Sequence, residues 1–316
     1  MHDLLHRLRA AAPALLLALV GCATDDAGDT GEFTASGSAI TDPVPAAAGR
    51  YDLRFDVSNG DQRAYILRLP AGYNPVAAPP YPVVYLFHGA GQSASSFYGR
   101  PGMVQMEALA DAQGKILVFA QGALGTSVTT PGAWDDTAVI KDDPLFAQEL
   151  LPFLLARMNG DATRVLVAGF SNGGHFTHFL GATMPCAFRA IGVVEGYYGS
   201  ILQPAPPPPP PGTLLPVFIV HGDADATVPV GGGGAGGFTS ALGAYSSWYG
   251  NDTCTLPSVL PLSPPATYNY RYTGCKRGTS GNVVRLSTVV GLGHEWPVAA
   301  NGFDASARML EFFDQQ

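Results

Sequence analysis

The stretch VLVAGFSNGGHF, Val165 to Phe176, decides how the rest of this 316-residue chain is read. Apolar residues run from Val165 to Ala168 without a polar break, as in a strand buried on both faces. The run then meets Gly169-Phe170-Ser171-Asn172-Gly173, and a helix-like pattern begins. A serine between glycines at a strand-to-helix junction is what a nucleophile elbow requires. Small neighbours let the strand and helix approach closely. The tight turn lifts the hydroxyl above the sheet, beside the free N–H groups of the helix start. An ordinary strand-to-helix turn has the same outline, so other residues must supply a base and an acid.

Outward from this stretch, strand and helix patterns alternate. LRFDV and AYILRL read as early antiparallel strands joined through Asn59-Gly60-Asp61. YPVVYLFHG, KILVFA, RVLVAG, RAIGVVEG and LPVFIVHG read as buried strands, and YNYRYT and VVRLSTVV as later ones. Helical patterns lie near Met103–Ala112, in PLFAQELLPFLLARM, NGGHFTHFLGATM and TSALGAYSSWYG, and at the terminal ASARMLEFFDQQ. Pro152 argues against one straight helix in the second of these. The alternation predicts an α/β fold with a mostly parallel central sheet and helices on both faces. The run PAPPPPPPG at 204–212 predicts an extended surface spacer.

A serine nucleophile needs a base, and the base needs an acid to hold its tautomer. Beyond residue 21 the chain has five histidines: His88, His175, His178, His221 and His294. His294 sits in the glycine-flanked loop GLGHEWP after the last predicted strand, where it can reach over the elbow. HGDADATVP follows the strand LPVFIVHG and supplies Asp223 and Asp225. The chain order Ser, Asp, His is that of α/β-hydrolases. His88 and His221 each end a strand before glycine and read as structural. His175 and His178 share a helical face, but without clustered cysteines they read as core or groove residues, and no metal site is expected.

Four motifs in order, LFHGAGQSASSF, GFSNGG, HGDADATVPV and GLGHEWP, resemble secreted α/β-hydrolases of the polyhydroxybutyrate depolymerase and feruloyl esterase group, which are similar to carbohydrate esterase family 1. The resemblance covers Tyr51 to the C-terminus. It implies the α/β-hydrolase fold, no cofactor, and a triad of Ser171, Asp225 and His294, with Asp223 a turn residue. It implies an oxyanion hole from the backbone N–H of Asn172 and of Ala90, where related sequences often carry cysteine. Trp134 and Trp296 are candidate walls of a substrate cleft, and Asp142 with Asp143 a helix cap. The implied reaction is hydrolysis of carboxylic esters: feruloyl or acetyl esters of polysaccharide, or hydroxyalkanoate oligomers. A non-catalytic binding lipoprotein and a serine peptidase are the competing readings.

Charge and composition set further bounds. The formal net charge of −8 disfavours nucleic acid or an anionic membrane surface as an electrostatic partner. Arg7 and Arg9 precede an apolar run too short for a comfortable membrane span. Leu19-Val20-Gly21-Cys22 resembles a bacterial lipobox, which implies a signal peptide at 1–21 and lipid on Cys22. Export to an outer membrane or cell surface follows, with full secretion as the alternative. Residues 22–50 then read as the lipidated cysteine and a flexible tether, and 51–316 as the catalytic domain. In an oxidising compartment Cys254 and Cys275 are expected to pair, stabilising by about 3 kcal/mol. Cys186 is expected to be a buried free thiol.

Overall fold

In a computed structural model of the chain, the described residues are 42, 45–123, 127–137, 142–209, 214–251, 256–262, 267–273 and 284–316. Their strands form one ten-stranded sheet in the order β1-β2-β4-β3-β5-β6-β7-β10-β9-β8. β1 (Gly49–Asp56) and β2 (Gln62–Leu69) make an antiparallel hairpin at one end. The centre is parallel: β4 (Ile116–Ala120), β3 (Tyr81–Phe87), β5 (Gly160–Phe170), β6 (Ala190–Val194), β7 (Val217–Gly222) and β10 (Val284–Val289). β9 (Thr267–Thr273) and β8 (Leu256–Leu262) close the other end as an antiparallel pair.

The period-2 alternation of the central strands divides the core in two. Val83, Tyr85 and Phe87 of β3, with Val165 and Val167 of β5, face one layer. That layer is covered by α3 (Asp143–Arg157), α4 (Asn172–Thr183) and α5 (Ala241–Asn251). Val84 and Leu86, with Leu166, Ala168 and Phe170, face the other, under α1 (Ala94–Tyr98), α2 (Pro101–Gln113) and α6 (Ala305–Asp314). Because both faces are covered, the strands read as continuous apolar runs rather than alternating ones. Each fully buried Val, Leu or Phe side chain contributes about 1.5–3 kcal/mol. The parallel strands β3, β5, β6, β7 and β10 end at one edge, so the loops after them meet there.

Several expectations are corrected. β1 begins at Gly49, paired with Leu69, inside the stretch read as tether. Further back, the Asp42 carboxylate accepts the Arg54 N–H at 2.6 Å. β8, which contains Pro257 and Pro261, is not among the strands expected from the sequence; an outermost strand tolerates proline because one side of its backbone needs no partner. α3 runs through Pro152 unbroken. Asp142 caps that helix by accepting the Leu145 N–H at 2.9 Å, whereas Asp143 is buried against Arg63.

Cys186 lies exposed in a short 3-10 turn, Pro185–Ala187, and is disulfide-bonded rather than a buried thiol. The other three cysteines, Cys22, Cys254 and Cys275, lie outside the described residues. The expected lipid on Cys22 and the expected Cys254–Cys275 bridge therefore fall outside the described residues. The described part of the polyproline stretch, residues 204–209, has no regular secondary structure, and Pro206 and Pro209 within it are buried. Residues 1–41, in which the expected signal peptide at 1–21 and the expected lipidated Cys22 fall, lie outside the described residues. Among the described residues no helix is long and apolar enough to cross a membrane.

Candidate active site

Ser171 directly follows β5 and is the residue before α4. Its backbone has φ 57° and ψ −120°. This left-handed region costs a residue with a side chain on the order of 1–3 kcal/mol. The glycines explain how the turn closes. A Cβ on Gly169 would stand 2.1 Å from the Gly173 oxygen, and one on Gly173 would stand 2.4 Å from the Phe87 oxygen. The turn is pinned by the Ser171 N–H donating to Val194 O at 2.9 Å and the His175 N–H donating to Ser171 O at 3.0 Å.

Above this turn the loops after β10 and β7 bring in a ring and a carboxylate. His294 Nε2 lies 2.8 Å from Ser171 Oγ, and His294 Nδ1 lies 2.6 Å from Asp225 Oδ2. An ionised carboxylate only accepts, so Nδ1 carries the ring proton toward Asp225 and Nε2 is left to accept from the hydroxyl. Asp225 Oδ1 accepts the N–H groups of Thr227 at 2.8 Å and Val228 at 2.9 Å. Burial pushes the Asp225 carboxyl up. The neighbouring His221 and His294 rings, the adjacent Glu195 carboxyl and the Val228 N–H outweigh it and hold the group well below the usual carboxylate range. Asp223 is a turn residue that accepts the Gly291 N–H at 2.6 Å and so ties the Asp225 loop to the His294 loop.

The loop after β3 faces the elbow. His88 Nε2 accepts the Gly122 N–H at 3.0 Å, so its proton sits on Nδ1, which donates to Gly89 O at 2.9 Å. The Gln92 N–H donates to the same oxygen at 3.1 Å, and the Gln92 side chain accepts the Gly89 N–H at 3.1 Å. With its carbonyl held twice, the planar Gly89–Ala90 peptide has a fixed direction for the Ala90 N–H. Among the described residues neither the Ala90 nor the Asn172 N–H donates to a protein acceptor. Burial, partly offset by the bond to Gly89, lowers His88 to about 4, which keeps the ring neutral.

Behind the elbow lies a polar network that sequence patterns did not reveal. Asn172 accepts the Trp134 N–H at 2.7 Å and donates to Gln203 at 2.9 Å. Gln203 in turn donates to Trp134 O at 3.1 Å and Asp136 at 3.0 Å, and Asp136 holds His175 Nε2 at 3.0 Å. His178 Nδ1 instead accepts the Trp248 indole N–H at 2.9 Å, so the two helix histidines serve different partners. His221 Nε2 lies 2.8 Å from Val228 O.

Trp134 and Trp296, expected as cleft walls, are 2% and 4% exposed. Trp134 donates to His88 O at 2.8 Å and stacks on Phe176; Trp296 packs on Phe97 and donates to Ser306. Both support the site from within the core. Glu195, at the end of β6, was also missed. Its signal was a lone acid directly after the apolar run AIGVV. Glu195, Asp225 and His294 each bring one ligand-capable atom within 4.8 Å of the others. Both ring nitrogens of His294 are already engaged, by Asp225 and Ser171.

The sheet order and the placing of these side chains at its carboxyl edge define the α/β-hydrolase fold. No protein-family model matches the sequence. The chain is similar to a bifunctional acetylxylan esterase/xylanase of Neocallimastix patriciarum, 26% identical over 150 residues, 47% of this chain and 20% of that protein. It is also similar to feruloyl esterase B of Neurospora crassa, 29% identical over 122 residues, 36% of this chain and 38% of that protein. The chain thus matches well under half the length of these curated relatives. Among solved structures, an acetyl xylan esterase from Aspergillus awamori superposes with a TM-score of 0.60 at 15% identity, over 85% of this chain and 100% of that one. The chain resembles acetylxylan and feruloyl esterases.

Proposed function

We propose that the protein is a serine esterase that hydrolyses carboxylic esters through an acyl-enzyme. The observation that carries this is the hydrogen-bonded line Asp225–His294–Ser171, at 2.6 and 2.8 Å, on a strained elbow. Ser171 Oγ attacks the acyl carbon while His294 Nε2 takes its proton. Asp225 stays ionised and holds the imidazole tautomer. The developing oxyanion is met by the N–H groups of Asn172 and Ala90. The alcohol leaves with the proton from His294, and water repeats the sequence on the acyl-enzyme. No cofactor enters these steps.

The curated relatives are named for acetylxylan and feruloyl ester cleavage, and such polysaccharide esters are the proposed substrates of this chain. Hydroxyalkanoate oligomers suit the same machinery. The N-terminal apolar run and Cys22 support export, with lipid anchoring at Cys22.

The test is Ser171→Ala with p-nitrophenyl acetate and a fluorophosphonate probe. Turnover is expected to fall by about 10⁴-fold or more, with labelling lost and the fold intact. Undiminished turnover in this variant would reject the assignment. Parallel assays with methyl ferulate, acetylated xylan and hydroxybutyrate oligomers identify the acyl group.

A further inference from the structure

Glu195 takes no part in the steps above, yet it is fully buried beside them. It follows β6 with φ 51°, a left-handed conformation that disfavours any residue with a side chain. Its backbone N–H donates to Val220 O at 2.9 Å. Its Oε1 accepts the Gly222 N–H at 2.8 Å. Its Oε2, taken as a carboxylate oxygen, has no donor among the described residues. His221 Nε2 is 3.5 Å from that oxygen, but it lies 2.8 Å from Val228 O, which claims its proton. A second acid stands beside it: a carboxyl oxygen of Asp225 lies within 4.8 Å of one of Glu195.

Two carboxyl groups in one buried space cannot both be ionised, because like charges repel strongly where water is excluded. Asp225 holds the better donors: the His294 ring and the N–H groups of Thr227 and Val228. The single proton therefore belongs on Glu195. We propose, on the footing of the serine-esterase assignment, that Glu195 is a positioning residue: a neutral carboxylic acid whose O–H donates to Asp225 and holds that carboxylate for His294.

Burial, and then the hydrogen bond and charge of Asp225, push the Glu195 carboxyl up to about 11, so it stays protonated at neutral pH. The titratable groups facing the pair are His221 and His294, with Glu295 adding a weaker repulsion. The O–H also takes up part of the Asp225 charge. Removing it leaves a bare, less ordered carboxylate beside His294, which raises the basicity of the ring.

The experiment compares wild type, Glu195→Gln, Glu195→Ala and Ser171→Ala with p-nitrophenyl acetate, reading kcat, KM and the pH profile of kcat/KM. Glu195→Gln keeps a donor, so kcat and the acidic limb are expected to stay at wild-type values. Glu195→Ala loses one charge-assisted hydrogen bond, so kcat is expected to drop by about tenfold at unchanged KM, with the acidic limb moved to higher pH. An acidic limb moved to lower pH in Glu195→Gln means that Glu195 was ionised, and the idea fails. Wild-type kcat and profile in Glu195→Ala overturn it equally. Should Glu195→Ala not fold, the infrared C=O band of a protonated carboxyl decides. It must be present in wild type at neutral pH and missing in Glu195→Gln, and its absence from wild type sinks the role. Ser171→Ala separates the two levels: if that variant stays active, the esterase assignment itself falls. If it is inactive while Glu195→Ala behaves as wild type, only the role of Glu195 falls.

Discussion

Ser171 reacts through atoms that other residues hold still, and His88 holds the most consequential of them. It fixes the Gly89 carbonyl and so the direction of the Ala90 N–H. Such a donor matters most when charge develops on the substrate oxygen, and losing one costs about 10²–10³ in kcat. His88→Ala is therefore expected to lower kcat by up to about 100-fold while KM changes little; steady-state kinetics on p-nitrophenyl acetate checks the split. Glu195 makes a second residue-scale prediction, in stability rather than rate. Its folded pKa, about 11, lies above the unfolded value of 4.5. The unfolded chain therefore releases this proton first as pH rises. The contribution is fully present below the unfolded value and is lost progressively toward the folded one. Glutamine has no proton to release, so Glu195→Gln gains on wild type as pH rises from about 5 to 8, by up to about 1.4 kcal/mol per pH unit. Urea unfolding of both proteins across that range measures the slope, and parallel stability curves contradict it.

At the scale of elements, the elbow is a packing constraint between β3, β5 and α4. Gly173 lies against the Phe87 and His88 carbonyls, where a Cβ would stand 2.4 and 2.5 Å away. Gly173→Ala is expected to push α4 away from β3, costing about 1–3 kcal/mol and moving the Asn172 N–H. Thermal unfolding and esterase activity should fall together; a variant of wild-type stability and rate contradicts this account of the turn. This constraint was legible in the sequence, because the two glycines around Ser171 stand where the crossing must be tight. β8 was not, because proline is judged by local propensity, and its tolerance here comes from lying at the end of the sheet.

For the molecule as a whole, the buried Arg63–Asp143 pair joins β2 to α3 beneath the site. Asp143 also accepts the N–H groups of Ala123 at 3.3 Å and Asp135 at 2.7 Å, and Arg63 donates to Gln121 O at 3.0 Å. Burial, eased by Arg63, leaves Asp143 raised to about 6. Asp143→Asn strands the Arg63 charge inside the protein and is expected to cost about 3–5 kcal/mol. Because Asp143 holds Ala123 and Asp135, beside the Gly122 and Trp134 that bond His88, activity should fall before global unfolding. Differential scanning calorimetry with activity measured on the same ramp tests both parts.

The sequence by itself determined the alternation of strands and helices, the elbow at Ser171, and the residues from which a base and an acid were chosen. These are local: a period of two or 3.6, a glycine beside a tight turn, a histidine in a glycine-flanked loop. Only the tertiary structure decided which ends of the sheet meet. His294 reaches Ser171 across 123 residues and Asp225 across 69 because β5, β7 and β10 run parallel and end at one edge. It alone buried Trp134 and Trp296, which look like any other tryptophans in the sequence. It alone set Glu195 against Asp225, two acids 30 residues apart that are buried together after neighbouring strands.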